Sequence, residues 1–184
     1  MNSLWKMALG ALLVCSNPAL AGFKIEGKPK VLFNATGSPG FLTFEGVTRD
    51  ITLVDDGEKL VFTVPVDTLD TGIEVRDDHM RRTYVQTDQF PNVVITLPRA
   101  EVKWPESGSS EGTVKGVFQL HGVDKEVELT YAIKRVKEAY RVKATFPFNT
   151  TEHGIEIPSY LGITIAAEMD GEVVVELVEE AAEQ

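Results

Sequence analysis

Alternation of apolar and polar positions with period two recurs through much of this chain. Leu60, Phe62, Val64 and Val66 alternate with Val61, Thr63, Pro65 and Asp67, and Val93, Ile95 and Leu97 form a shorter run. Val114, Phe118 and Leu120 share a side with Gly116. Val127, Leu129, Tyr131 and Ile133 alternate with Glu126, Glu128, Thr130, Ala132 and Lys134. The cleanest run sets Tyr140, Val142, Ala144, Phe146 and Phe148 against Arg141, Lys143, Thr145 and Pro147; Val173, Val175 and Leu177 form the last. Successive side chains of a strand point to opposite faces, so these runs predict strands with one dry and one wet face, as in antiparallel sheets.

Turn chemistry separates the runs. Asp55-Asp56-Gly57, His121-Gly122-Val123-Asp124, Lys137-Glu138-Ala139 and Asp170-Gly171 each suit a hairpin, the last alternatively opening the final strand. Pro105 to Gly112 reads as a polar loop. One segment has no alternation: from Ile73 to Thr83, Ile73, Met80 and Tyr84 give a single apolar stripe, which predicts one helix. About eight strands and one helix in 184 residues make one all-β domain, an antiparallel barrel or sandwich. Barrel closure would remove exposed strand edges.

The first 21 residues read differently. Lys6 supplies a basic start, Met7 to Cys15 a short apolar centre, and Ala19-x-Ala21 a small-residue cut site. That pattern predicts a signal peptide over 1–21 and a mature domain over 22–184, in the periplasm or secreted. The apolar run is too short to span a bilayer, so no integral membrane segment is expected in the mature chain. The single cysteine, Cys15, falls in the leader. Bulky Val14 before it disfavours lipoprotein processing, so the expected product has no disulfide and is stabilised by its core.

Composition narrows the function. The net charge is −10 and the pI about 4.8, which disfavours binding to nucleic acid or to anionic membrane surfaces. Gly108-Ser109-Ser110-Glu111-Gly112 matches G-x-S-x-G as a string but lacks the strand before and helix after that a nucleophile elbow requires. His79, His121 and His153 lack the spacing of a zinc site. Gly27, Gly37, Gly40 and Gly46 precede no helix that could hold a phosphate. The residues thus carry no pattern of an enzyme, and neither a cofactor nor a metal is expected.

Three stretches carry a family resemblance. Val66-Asp-Thr-Leu-Asp-Thr-Gly-Ile-Glu-Val-Arg-Asp-Asp-His-Met-Arg-Arg82, with Phe90-Pro91 and the strand Asn92 to Thr96, resembles the Leu-Asp-Thr-Gly, Arg-Asp-x-His-Leu-Arg and Phe-Pro signature of YceI-like, polyisoprenoid-binding proteins. Gly116 to Leu129 is similar to that family's hairpin around a His-Gly pair, and Phe146 to Asn149 through Gly154-Ile155 to Val173–Leu177 is a weaker match. The family usually carries a histidine-bearing segment after its first strand; here Val31 to Gly40 runs directly into Phe41 to Gly46, so the pocket mouth is expected to differ.

The resemblance implies a secreted, lipocalin-like antiparallel barrel with an apolar tunnel for an isoprenoid or similar lipid. Leu60, Phe62, Ile95, Phe118, Tyr131, Val142 and Phe146 lie on the apolar sides of their strands and are the expected tunnel lining. Arg76, Asp77 and His79 match the signature and are the expected rim or helix-anchoring residues, with Asp77 and Arg81 spaced to pair along the helix. The alternative is a barrel filled by its own side chains, serving as an envelope-stress or interaction module. The sequence leaves the oligomeric state open, a homodimer included.

Overall fold

The alternating runs are strands of a single antiparallel sheet. The computed structural model describes residues 22–38, 42–160 and 163–180; the predicted leader, with Cys15, lies outside them. The strands are β1 (Phe23–Ser38), β2 (Leu42–Thr48), β3 (Thr52–Asp55), β4 (Lys59–Pro65), β5 (Asn92–Pro98), β6 (Ser109–Leu120), β7 (Val123–Val136), β8 (Ala139–Asn149), β9 (Ser159–Tyr160), β10 (Ile163–Ile165) and β11 (Glu168–Glu179). Eight of these have seven residues or more, in keeping with the expected number; the alternating runs account for β4, β5, β6, β7, β8 and β11, while β1 and β2 carry no such run. The helix is α1 (Glu74–His79), continued by a π-helical turn over Met80–Tyr84.

The sheet runs β3-β4-β5-β6-β7-β8-β11-β1, so the first and last long strands pair and bend the meander into a barrel. Strand β2 pairs with the second half of β1. Two seams draw the ends together. At one, the Phe23 amide donates to Asp55 Oδ2 at 2.8 Å, and Asp55 is ion-paired with Arg99 at 3.5 Å. At the other, Val47 and Asp70 exchange backbone hydrogen bonds of 2.9 Å, which ties β2 to the chain after β4. A side chain thus does at the first seam what a strand ladder does elsewhere, covering an edge that would otherwise expose unpaired backbone.

Two turn readings need correction. Of the two readings of Asp170-Gly171 the hairpin fails and the opening of the final strand holds: both residues lie near the start of β11, with Gly171 opposite Phe146 of β8 and Phe33 of β1. The glycine is there for space: a Cβ on Gly171 would lie 2.7 Å from the Phe146 ring. The polar loop also ends earlier than expected, since Ser109 to Gly112 already belong to β6. Ser110 Oγ donates to the Lys103 carbonyl at 2.5 Å, and the G-x-S-x-G string from Ser109 onward is extended strand, not an elbow.

The Asp55-Asp56-Gly57 turn is built as read. Asp56 Oδ1 accepts from the amides of Lys59 (2.6 Å) and Glu58 (2.9 Å), which hold this exposed carboxyl below the usual carboxylate range. A depressed folded pKa contributes stability above the unfolded value of 3.8, and that contribution fades as pH falls through the folded value. Asp56→Asn should therefore be slightly less stable than wild type at pH 7, with the gap in melting temperature closing under acid.

Candidate functional site

Inward-facing side chains fill one end of the barrel and leave the other hollow. At the filled end Phe23, Trp104 and Tyr140 pack ring on ring, with centroids 4.4–5.6 Å apart. Leu60, Ile133 and Leu177 are almost fully buried around them. At the hollow end lies a cavity of about 490 Å³, within the range of roughly 300–1,000 Å³ typical of ligand sites. Its wall is almost wholly aliphatic and aromatic; Thr71, Arg76, His79, Thr150, Ser159 and Glu172 are its polar residues. Glu172 is ion-paired with Lys143 at 2.9 Å.

The residues singled out from sequence divide between the two ends. Phe62, Ile95, Phe118 and Phe146 line the cavity. Leu60, Tyr131 and Val142 do not: Leu60 and Tyr131 are buried in the packed core, and Val142 packs half-buried against it. Tyr131 lies with its hydroxyl accepting from the Lys103 amide at 3.0 Å. Alternation reports which face of the sheet a residue occupies. Height along the barrel axis depends on register and strand tilt, which alternation does not contain.

An unforeseen row of residues shapes the cavity wall. Gly46, Phe33, Gly171 and Phe146 stand side by side across β2, β1, β11 and β8. A Cβ on Gly46 would lie 2.1 Å from the Phe33 ring, and one on Gly171 2.7 Å from Phe146. Each ring therefore covers a neighbouring glycine and lies along the wall instead of across the lumen. Phe118 meets Phe146 and Phe148 with centroids 5.0 and 5.2 Å away, closing the aromatic floor.

The helical segment forms the rim. Met80 and Tyr84, from the expected stripe, pack toward the core; Ile73 lines the mouth but stays largely exposed. Asp77 does not pair with Arg81. It is buried, and its Oδ1 accepts from the Thr71 amide (3.0 Å) and hydroxyl (2.5 Å). Arg76 donates from Nε to Thr71 Oγ1 (2.7 Å) and from Nη2 to the Thr71 carbonyl (2.5 Å), with its guanidinium 4.0 Å from the centre of the Phe44 ring. Arg81 instead donates to the Leu69 carbonyl at 2.8 Å, and the helical pair that forms is the exposed Arg82–Asp78, at 4.0 Å. A helix of six residues is too short to be stable by itself, and this knot supplies what packing does not. His79 lines the mouth.

The other two histidines flank the cavity floor without lining it, His153 with its ring 5.3 Å from that of Phe118. His121, in the left-handed conformation of the β6–β7 turn, has Nδ1 3.0 Å from the His153 carbonyl and packs edge-on against Phe90. His153 is buried, with Nδ1 3.0 Å from the Val123 carbonyl. No cluster of metal-ligating side chains occurs among the described residues, and no helix among them is long and apolar enough to cross a membrane.

Sequence signals for part of the site were present but unread. Phe33, Phe44, Ile51 and Met169 line the cavity from segments where alternation is broken or short. In β1 the register shifts between Glu26 and Lys30, around Gly27 at φ +76°, and this bulge conceals the longest strand from a period-two reading.

Known structures share this architecture. The chain is similar to a polyisoprenoid binding domain from Saccharophagus degradans implicated in plant cell wall breakdown: TM-score 0.72, 13% identity, 86% of this chain and 99% of that one. It also resembles Burkholderia cenocepacia BcnA, with TM-score 0.65, 13% identity and coverage of 80% and 95%. A third likeness is the Campylobacter jejuni YceI protein, with TM-score 0.60, 17% identity and coverage of 95% and 100%. No curated protein sequence matches. The family model for the YceI-like domain matches residues 43–180, which takes in the helix, every strand from β3 to β11 and the cavity lining apart from Val31, Leu32, Phe33 and Leu42, and on that match the chain belongs to the YceI-like family.

Proposed function

We propose that the protein is an exported lipid carrier that holds an isoprenoid-type chain in the hollow end of its barrel. The observation that carries this reading is the 490 Å³ apolar cavity, whose aromatic walls are held back by Gly46 and Gly171. The polyisoprenoid-binding domain with the same fold supports the choice of ligand. Each buried CH₂ contributes about 0.8 kcal/mol, so a five-carbon unit gives roughly 3–4 kcal/mol. Three or four units give on the order of 10–16 kcal/mol, enough to offset an association cost of about 4–15 kcal/mol. Affinity then comes from the tail, and cavity volume selects its length.

The rim favours a neutral head group. Arg76 has its Nε and one terminal nitrogen committed to Thr71, and the carboxylates of Asp77 and Asp78 stand close in sequence. A pyrophosphate needs unspent cationic donors and would be repelled by those carboxylates. A quinone or an amide meets neither obstacle. The filled-barrel reading describes the Phe23–Trp104–Tyr140 end of the molecule and leaves the cavity unexplained.

Native mass spectrometry of protein purified from its own cells should show a co-purifying prenyl lipid of neutral head. Phe118→Trp should narrow the floor and reduce prenyl uptake severalfold while the barrel stays folded; unchanged uptake would remove Phe118 from the site. The same preparation tests export. Its first residue should be Gly22, and an N-terminus at Met1 or a lipid-modified Cys15 would overturn the export reading.

A further inference from the structure

Nine large apolar side chains are exposed among the described residues, and they are not evenly spread. Val54, Val117, Val123 and Val174 are on strands; Val117 sits between Thr96 and Glu126, and Val174 between Lys30 and Lys143. Such scattered residues are normal on any protein. The other five gather around the cavity mouth: Leu42, Ile73, Val75, Ile157 and Ile163. All but Ile157 line the cavity, and Ile157 adjoins Pro158, which does. The most exposed, Val75 at 67% and Ile73 at 53%, start the helix, while Ile157 at 46% faces solvent beyond buried Ile155. The apolar lumen therefore continues outward as an apolar rim.

Charge and area indicate what meets that rim. The segment Thr71 to Val85 balances Glu74, Asp77 and Asp78 against Arg76, Arg81 and Arg82, on a chain whose net charge is −10. The helical side of the mouth is thus electroneutral on an acidic molecule, the exposed Glu156 beside Ile157 adds one negative charge on the other side, and the acidic remainder turns away from negatively charged surfaces. The exposed portions of five aliphatic side chains amount to no more than a few hundred Å², well short of the roughly 800 Å² per partner in a stable dimer. A shallow apolar rim of this size suits insertion among lipid head groups.

We propose that the mouth docks on the surface of a zwitterionic lipid bilayer, with Ile73, Val75 and Ile157 entering the interface, so that a prenyl chain passes between membrane and cavity without crossing water. This rests on the carrier reading for its purpose, but docking is measurable separately. The experiment uses the mature protein, phosphatidylcholine vesicles in a flotation assay, and a fluorescent twenty-carbon prenyl alcohol delivered from cyclodextrin.

Wild type should float with the vesicles, and about one fifth phosphatidylglycerol should weaken its binding. Ile157→Asp, outside the cavity lining, should lose at least about tenfold in vesicle binding while its probe uptake from cyclodextrin stays within about twofold of wild type. Val54→Asp, exposed elsewhere on the barrel, should change neither. Wild type that does not float, Ile157→Asp that floats as well as wild type, or light scattering that shows a dimer abolished by Ile157→Asp would each overturn the docking proposal. Failure of every variant to take up the probe, with Ile157-dependent flotation intact, would sink the carrier reading and uphold the docking surface.

Discussion

Gly171→Val is expected to block prenyl uptake and to lower the melting temperature by about 3–10 °C. Position 171 is opposite Phe146, and any Cβ there would lie 2.7 Å from the ring, closer than packed atoms come. The ring is buried and has Phe118 5.0 Å away, so it must turn toward the lumen. Overpacking of this kind costs about 1–3 kcal/mol, each worth roughly 2–4 °C in a domain of this size. The expected loss of uptake is larger than the loss of stability, because the displaced ring occupies ligand space. Phe146→Leu in the same chain should restore part of both, since the smaller side chain leaves room for the valine. Full uptake by Gly171→Val alone would show that the glycine–phenylalanine row does not set the width of the cavity.

Removing the Asp77 carboxylate is expected to unseat the rim helix. Asp77→Ala deletes two hydrogen bonds to Thr71 and leaves the Thr71 amide without its acceptor. Hydrogen bonds to a buried carboxylate contribute about 1.5–3 kcal/mol each, so losing both costs about 3–6 kcal/mol and the melting temperature should fall by about 6–24 °C. Arg76→Ala, which deletes the other half of the knot, should behave the same way to a lesser degree. Prenyl affinity should fall together with stability in both variants, because Met80 and Tyr84 reach the cavity only while the helix is seated. Hydrogen exchange of the residue 71–85 amides would detect the unseating directly. An Arg76→Ala barrel of unchanged stability that no longer binds would mean instead that Arg76 holds the ligand head.

Much of this architecture is written in local pattern. The runs ending at Val66, Leu120, Ile133, Phe148 and Leu177 became strands with the expected side buried, because side-chain direction in a strand is fixed by backbone geometry alone. The helix lies where alternation stops. Its anchoring role was half legible: Arg76 and Asp77 stood out through the family signature, yet their partner is Thr71, whereas helical spacing indicated Arg81 for Asp77.

What the sequence by itself determined is therefore an all-β antiparallel domain, the identity of its dry faces, one inserted helix and, through the signature around that helix, the family. Tertiary structure decided which dry residues enclose a cavity and which fill the core. Leu60 and Phe62 belong to the same face of β4, but one is packed away in the core and the other borders empty space. The difference arises from cross-strand register and barrel tilt, which bring Phe23, Trp104 and Tyr140 together at one end and set Phe33 and Phe146 beside glycines at the other. These partners are far apart along the chain, so no local window of sequence contains the contact that makes the pocket.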